Sequence, residues 1–305
     1  MNVVNAFFRL VRWPNLVFIA LTQALFYSCI YLPLYHEQIT GKLTFLIIAS
    51  VLIAAAGYII NDYFDLNIDQ VNKPQKNVVD KVIHRRWAII WHLVLSFAGI
   101  ISTALGVGLR HWYLVLANVA CVALLWFYST SFKRQLLLGN VIISLLTAWT
   151  ILILFFAFST PSNAFNTSDP VSVKFFRLAF LYAGFAFIIS LVREAVKDME
   201  DLEGDARYGC KTLPIVAGVR TTKIYCAIWL VVLIATLAIL QVYILQFGWW
   251  PAVLYSGLLV ITPLIVTLIK LRKAVSTKDF AQLSSYTKWI ILSGILSMVF
   301  FSFYF

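Results

Sequence analysis

Nine apolar runs in succession constrain this chain more than any other feature. They are Asn15–Tyr35, Leu43–Ile60, Trp87–Leu109, Trp112–Tyr128, Leu136–Phe158, Phe175–Val192, Ile224–Leu245, Trp249–Ile269 and Trp289–Phe305. Each has the length needed to cross a bilayer as a helix. Trp87, Trp112, Trp249 and Trp289 stand at run edges, where amphipathic rings anchor at the interface. A soluble chain of 305 residues suggests about two domains. Here 62% of residues are hydrophobic and 12% charged, with mean hydropathy +0.88, so the expectation is one membrane-embedded unit. The predicted fold class is all-α, a polytopic membrane protein of nine transmembrane helices.

The net charge of +11 suggests nucleic acid only until the basic residues are placed. With the N-terminus in the cytoplasm, every Lys and Arg falls on the cytoplasmic side except Lys42, Arg110, Lys174 and Arg177. The positive-inside rule therefore predicts a cytoplasmic N-terminus and a C-terminus on the opposite side. The charge is topological, and no nucleic-acid partner is expected. Cys29, Cys121, Cys210 and Cys226 show no CxxC spacing, which argues against both a disulfide framework and a zinc site. No cleavable signal is expected, because Arg9 and Arg12 precede a long first run without a small-residue cleavage site. His92 stands inside a run with no evident partner and reads as a packing residue. Arg177 lies at a run edge, where it can snorkel. The tripeptide Asn166–Ser168 is a weak glycosylation acceptor.

Two acidic stretches follow runs two and six. The first, Asn61–Asp69, reads NDYFDLNID, with carboxylates at Asp62, Asp65 and Asp69. The second, Arg193–Asp205, reads REAVKDMEDLEGD and repeats the spacing with Asp198, Asp201 and Asp205. Steps of three and then four place each trio on one helical face. Like charges gathered at a membrane boundary need a counter-ion, and hard divalent cations such as Mg²⁺ are shared between carboxylates and substrate phosphates. A solvated acidic loop is the bland alternative for one stretch, but it does not account for two of matched spacing. Arg193 and Lys197 share the second face and flank its acids. Metals, Arg and Lys together suit a diphosphate. Both clusters fall on the cytoplasmic side, four runs apart. This predicts two related four-helix halves, about 1–135 and 136–305, plus one helix, around a central cavity open to the cytoplasmic side.

These residues resemble the UbiA superfamily of intramembrane prenyltransferases. NDYFDLNID is similar to its NDxxDxxxD signature and Asp201–Asp205 to its second, DxxxD. RWPN at Arg12–Asn15 resembles the RPxN lead into the first helix, and Asn72, Lys73 and Pro74 the NRP or NKP after the first motif. YSTSFKR at Tyr128–Arg134 resembles the Tyr-and-Lys loop that faces the diphosphate, and KTLP at Lys211–Pro214 the stretch after the second motif. The first loop departs from the pattern. Where the family often continues RPxPSG, residues Lys76–Lys81 carry no Pro or Gly.

The resemblance implies transfer of a polyprenyl group from its diphosphate to a lipophilic or aromatic acceptor within the membrane, with Mg²⁺ as cofactor and membrane lipids as surroundings. It implies that Asn61, Asp62, Asp65 and Asp69 hold one metal, and that Asp198, Asp201 and Asp205 hold another. Asp65, Asp201, Lys197 and Tyr128 become the expected catalytic set, with Tyr128 the aromatic face for an allylic cation. Arg12, Asn15, Lys73, Lys133, Arg193 and Lys197 become the expected substrate-binding set. The second motif is most similar to members acting on geranylgeranylglyceryl phosphate. The alternative acceptor is an aromatic quinone precursor of the dihydroxynaphthoate, 4-hydroxybenzoate or homogentisate type. A transporter is the competing class, disfavoured because no Asp, Glu or Lys lies within a run. A structural protein leaves the duplicated Asp spacing unexplained.

Overall fold

The structure, a computed structural model, describes residues 3–72, 79, 83–159 and 168–304. Among the described residues nine helices are long and apolar enough to cross a membrane, and there is no β-strand beyond an isolated bridge between Val79 and Ile83. A short helix, α1 (Val3–Leu10), buries Ala6 and Leu10 against the second span, among Ala55 and Ile59. The spans and their connecting helices follow as α2 (Trp13–Tyr35), α3 (Thr40–Phe64), α4 (Leu66–Asn72), α5 (Arg85–Val107) and α6 (Trp112–Thr130). Then come α7 (Leu138–Phe158), α8 (Pro170–Glu200), α9 (Leu202–Arg207), α10 (Gly218–Leu245), α11 (Trp250–Lys273) and α12 (Thr277–Tyr304). The last span begins twelve residues before Trp289, where the sequence run began. A capping box between Ser276 and Asp279 starts α12, and its polar first turns project beyond the apolar part.

Two spans owe their irregularity to proline. Pro33 and Pro263 have no N–H to offer the preceding turn, and each follows a π-helical segment, Tyr27–Tyr31 or Gly257–Ile261. There the Leu32 and Thr262 N–H groups reach back five residues, to the carbonyls of Tyr27 and Gly257.

In lipid the apolar exterior supplies no force between helices, so close packing and interhelical hydrogen bonds must join them. The tightest contact is α3 against α5, along small residues. A Cβ on Gly99 would come within 2.7 Å of Ile53, and one on Gly106 within 2.9 Å of Phe45. Polar side chains then stitch neighbours. Gln23 of α2 donates to Ser50 Oγ of α3 (2.9 Å) and to the Thr150 carbonyl of α7 (2.7 Å). Asn118 of α6 donates to Thr103 of α5 (2.7 Å) and accepts from Trp149 of α7 (3.0 Å). His92 does have a partner: its Nδ1 lies 3.0 Å from the Ala56 carbonyl, and its ring packs on Trp126. All four cysteines are buried and free.

The second span of each series is its hub. Helix α3 packs on α2, α5 and α6, and α8 packs on α7, α10 and α12. Contacts of α2 with α7, of α6 with α7, and of α12 with α2 close the bundle. The far end is filled by aromatics, with Phe26, Tyr31, Phe155 and Phe175 packed together.

Candidate active site

Both acid motifs turn a corner at the middle aspartate. Helix α3 ends at Phe64, and Asp65, at φ −85° and ψ 1°, bonds its N–H to the Asn61 carbonyl (2.9 Å). Asp69 N–H then reaches the Asp65 carbonyl (2.8 Å) as α4 begins. Helix α8 ends at Glu200, and Asp201, at φ −96° and ψ 11°, bonds to the Lys197 carbonyl (2.8 Å). Asp205 N–H follows onto the Asp201 carbonyl (3.1 Å). The expected unbroken helical face is therefore corrected. Each trio straddles a bend whose dihedrals suit an Asp, and the third carboxylate sits on a separate short helix.

A matching geometry recurs upstream of both motifs. Arg12 (φ 52°) and Leu137 (φ 58°) are left-handed residues preceding α2 and α7, each followed three residues later by an asparagine, Asn15 or Asn140. Arg12 Nη2 donates to Asp62 Oδ1 (2.6 Å), and Asn140 Nδ2 donates to Asp198 Oδ2 (2.9 Å). Asp62 and Asp198 both stand three residues before their bend.

Around the first cluster, Asn61 Nδ2 donates to Asp65 Oδ2 (2.7 Å), and Lys133 forms an ion pair with the same oxygen. Asp65 is buried. Burial opposes the Lys133 charge, yet Asp65 outweighs it and holds the ammonium well above its ordinary pKa. Arg12 is likewise raised against the pull of burial by the carboxylate of Asp62, and its guanidinium lies 5.1 Å from the Tyr58 ring centre. Asn15 bonds through its backbone to the Arg12 carbonyl (2.8 Å). Asp69 is pushed up to about 6, first by burial and then by the charge of Asp65.

The second cluster is built differently. Arg193 and Lys197 clasp Glu194. Arg193 Nη1 lies 2.8 Å from Glu194 Oε1, and Lys197 Nζ lies 2.9 and 3.2 Å from its two oxygens. Side-chain exposure is 9% for Glu194 against 16% and 25% for its partners. Glu194 stands seven residues before its bend, the register that Tyr58 holds before the first bend, and Lys197 holds the register of Asn61. The sequence reading overlooked Glu194 and Asn140. The spacing of Glu194 three residues before Lys197 on one helix was the available signal. Tyr128 lies in the electrostatic surroundings of Lys133, Glu194, Asp65 and Asp198, so the half-buried ring borders both clusters.

The two motif regions also touch. Asn72 Nδ2 donates to the Asp201 carbonyl (2.9 Å), and its Oδ1 accepts from Gly204 N–H (2.8 Å). Lys211 N–H bonds the Arg134 carbonyl (2.8 Å), tying the loop after the second motif to the loop carrying Lys133. Lys73, Lys76, Lys81 and the tripeptide's Asn166 and Thr167 lie outside the described residues.

Among the described residues no three His, Cys, Asp or Glu side chains converge tightly enough to hold a metal by themselves. The donor set nevertheless fits a hard cation. It is all oxygen, and Asn61 Oδ1 is a buried oxygen with no hydrogen-bond partner. Mg²⁺ typically takes one or two carboxylates and completes its shell with water and phosphate oxygens, which an open pair of clusters permits.

An all-helical membrane body with two facing acid clusters, each threaded with cations, defines a class of intramembrane enzyme. A model of the UbiA prenyltransferase family matches residues 16–302, and the chain belongs to that family. It is an integral, multi-pass membrane protein and a prenyl-transferring transferase. It is 30% identical over 279 residues to a digeranylgeranylglyceryl phosphate synthase of Sulfurisphaera tokodaii, spanning 92% of each chain. A solved structure concerning digeranylgeranylglyceryl phosphate synthase in membranes superposes at TM-score 0.64 with 21% identity, covering 98% of this chain and 99% of that one. A UbiA homologue from Archaeoglobus fulgidus, bound to GPP and Mg²⁺, superposes at 0.57 with 13% identity, covering 96% and 99%.

Proposed function

We propose that the protein is a Mg²⁺-dependent prenyltransferase that moves a geranylgeranyl-like group from its diphosphate to geranylgeranylglyceryl phosphate, forming an ether. The observation that carries this reading is the meeting of the two acid motifs at one end of the bundle, joined through Asn72 and bordered by Lys133 and Tyr128. The named synthase relative and the Mg²⁺-bound homologue support it.

Asn61, Asp62, Asp65 and Asp69 would hold one metal and Asp198, Asp201 and Asp205 the other. When bound, Mg²⁺ neutralises the diphosphate and stabilises it as a leaving group. The chain's own residues do the rest. Lys133, paired with Asp65, turns to the diphosphate as charge builds there. Arg12, Asn15, Lys73, Arg193 and Lys197 complete the binding set. The allylic C–O bond breaks with its electron pair passing to the diphosphate. The acceptor hydroxyl then supplies the pair for the new C–O bond and passes its proton to the departing diphosphate. Tyr128 presents an aromatic face to the developing cation, and the surrounding helices keep water out. We further propose that the site opens to the cytoplasm, with a cytoplasmic N-terminus, and that 1–135 and 136–305 are diverged halves of one domain.

Purified protein supplied with geranylgeranyl diphosphate, Mg²⁺ and a panel of acceptors tests the substrate. The ether phosphate product supports the proposal. Efficient prenylation of dihydroxynaphthoate or 4-hydroxybenzoate, with geranylgeranylglyceryl phosphate ignored, would assign the protein to quinone synthesis instead.

A further inference from the structure

We propose that Asn72 is a positioning residue. It caps the helix after the second acid motif from the end of the first motif's helix, and so relieves the Asp201 carboxylate of capping its own helix. The inference rests on the prenyltransferase reading above.

An aspartate at a helix N-cap ordinarily folds its carboxylate back onto the N–H of the second or third helical residue, satisfying a donor that has no partner within the helix. Asp201 is the N-cap of α9 and makes no such bond. The donor it would satisfy, Gly204 N–H, goes instead to Asn72 Oδ1, while Asn72 Nδ2 holds the Asp201 carbonyl. One carboxamide thus provides an acceptor and a donor at adjacent points of the same turn. Asp lacks the donor and an aliphatic side chain lacks both. Gly204 is matched to this fit, since a Cβ there would lie 2.5–2.6 Å from the Asn72 amide atoms. The clasp joins residues 129 and 132 positions apart.

Asn72 is also the last residue of α4, the helix that starts at the Asp65 bend. That seven-residue helix is a strut about 10 Å long at 1.5 Å per residue. Near its start Lys133 holds Asp65, and at its other end Asn72 holds the Asp201 turn. The two middle aspartates are therefore held in fixed relation, which a diphosphate shared by the two clusters requires.

The test uses the full chain in detergent, with Mn²⁺ binding read by EPR beside the Mg²⁺ dependence of turnover. Asn72→Ala should weaken Mn²⁺ binding and raise the half-activating Mg²⁺ by ~10–100-fold, the range for losing a residue that orients a metal ligand. Saturating Mg²⁺ should recover kcat to within about twofold, because the ligands themselves remain. Asn72→Asp should share the defect for want of a donor. Gly204→Ala should reproduce it, and the double variant should be no worse than the worse single, because the clash partner has gone. Unchanged Mn²⁺ affinity in Asn72→Ala would overturn the proposal, as would a multiplicative double variant. If Asn72→Ala does not fold, Gly204→Ala and Gly204→Ser decide the matter on the same readouts. A wild-type protein that binds Mn²⁺ but transfers no prenyl group would instead overturn the prenyltransferase reading, and leave the clasp standing.

Discussion

Replacing Glu194 by glutamine should destabilise the protein more than any other single change at the site. The carboxylate is buried at 9% exposure and pairs with both Arg193 and Lys197. Glutamine keeps the shape but removes the charge, leaving two cations in a poorly hydrated pocket at the end of α8. Breaking a buried ion pair by deleting one partner costs about 3–5 kcal/mol. Lys197, at 25% exposure, keeps some access to water, so the lower figure of about 3 kcal/mol applies. At roughly 2 °C per kcal/mol for a chain of this size, the unfolding midpoint in detergent should fall by about 6 °C. Removing the orphaned charge should restore part of the loss, so Glu194→Gln/Lys197→Met should melt above Glu194→Gln alone. Differential scanning fluorimetry on purified protein reads both. A Glu194→Gln midpoint within 1–2 °C of wild type, or a double variant less stable than the single, would refute the argument that this carboxylate neutralises the pair.

Sidedness is tested by reporter fusions. Fusions after Lys81 and Lys211 should report the cytoplasmic side and one in 163–168 the opposite side; opposite reports for the first two would end the shared-site account. Asp69 supplies a pH prediction: its pKa of about 6 lies above the ordinary carboxylate range, so protonation favours the folded state. That contribution is present below about pH 4 and is lost as pH rises through about 6. Metal needs the charged form, so the half-activating Mg²⁺ should climb as pH falls below about 6, and Asp69→Asn should flatten that step.

Much of this was legible in the chain, for physical reasons that can be named. Runs such as Leu43–Ile60 and Ile224–Leu245 admit no alternative to burial in lipid, and the structure makes each a span. The matched aspartate spacings located both corners of the site, since a pattern that repeats four spans later has little other explanation. The polar start of α12 was missed because Thr277–Lys288 is too hydrophilic to count as a span, although its capping box was visible in Ser276 and Asp279. Glu194 escaped notice among neighbours of opposite sign, where a charged stretch reads as solvated until burial is known. Asn72 was noticed only as part of a motif. That it reaches across to residue 204 depends on a meeting of α4 and α9 that no local pattern encodes. The bends at Asp65 and Asp201 were hidden for a related reason: the same three-then-four spacing fits an unbroken helix equally well.

The central claim is that the two acid clusters act as one metal-dependent unit across the halves, and single-turnover transfer by Asp65→Asn, Asp201→Asn and the double variant tests it most directly. Each single change should lower the rate at least ~100-fold, about 2.7 kcal/mol of transition-state stabilisation, without altering the unfolding midpoint by more than a few degrees. The double variant should be scarcely slower than either single, as happens when groups work together. A single variant that keeps near-normal turnover while still requiring Mg²⁺, or a double variant whose loss is the product of the two singles, would contradict it.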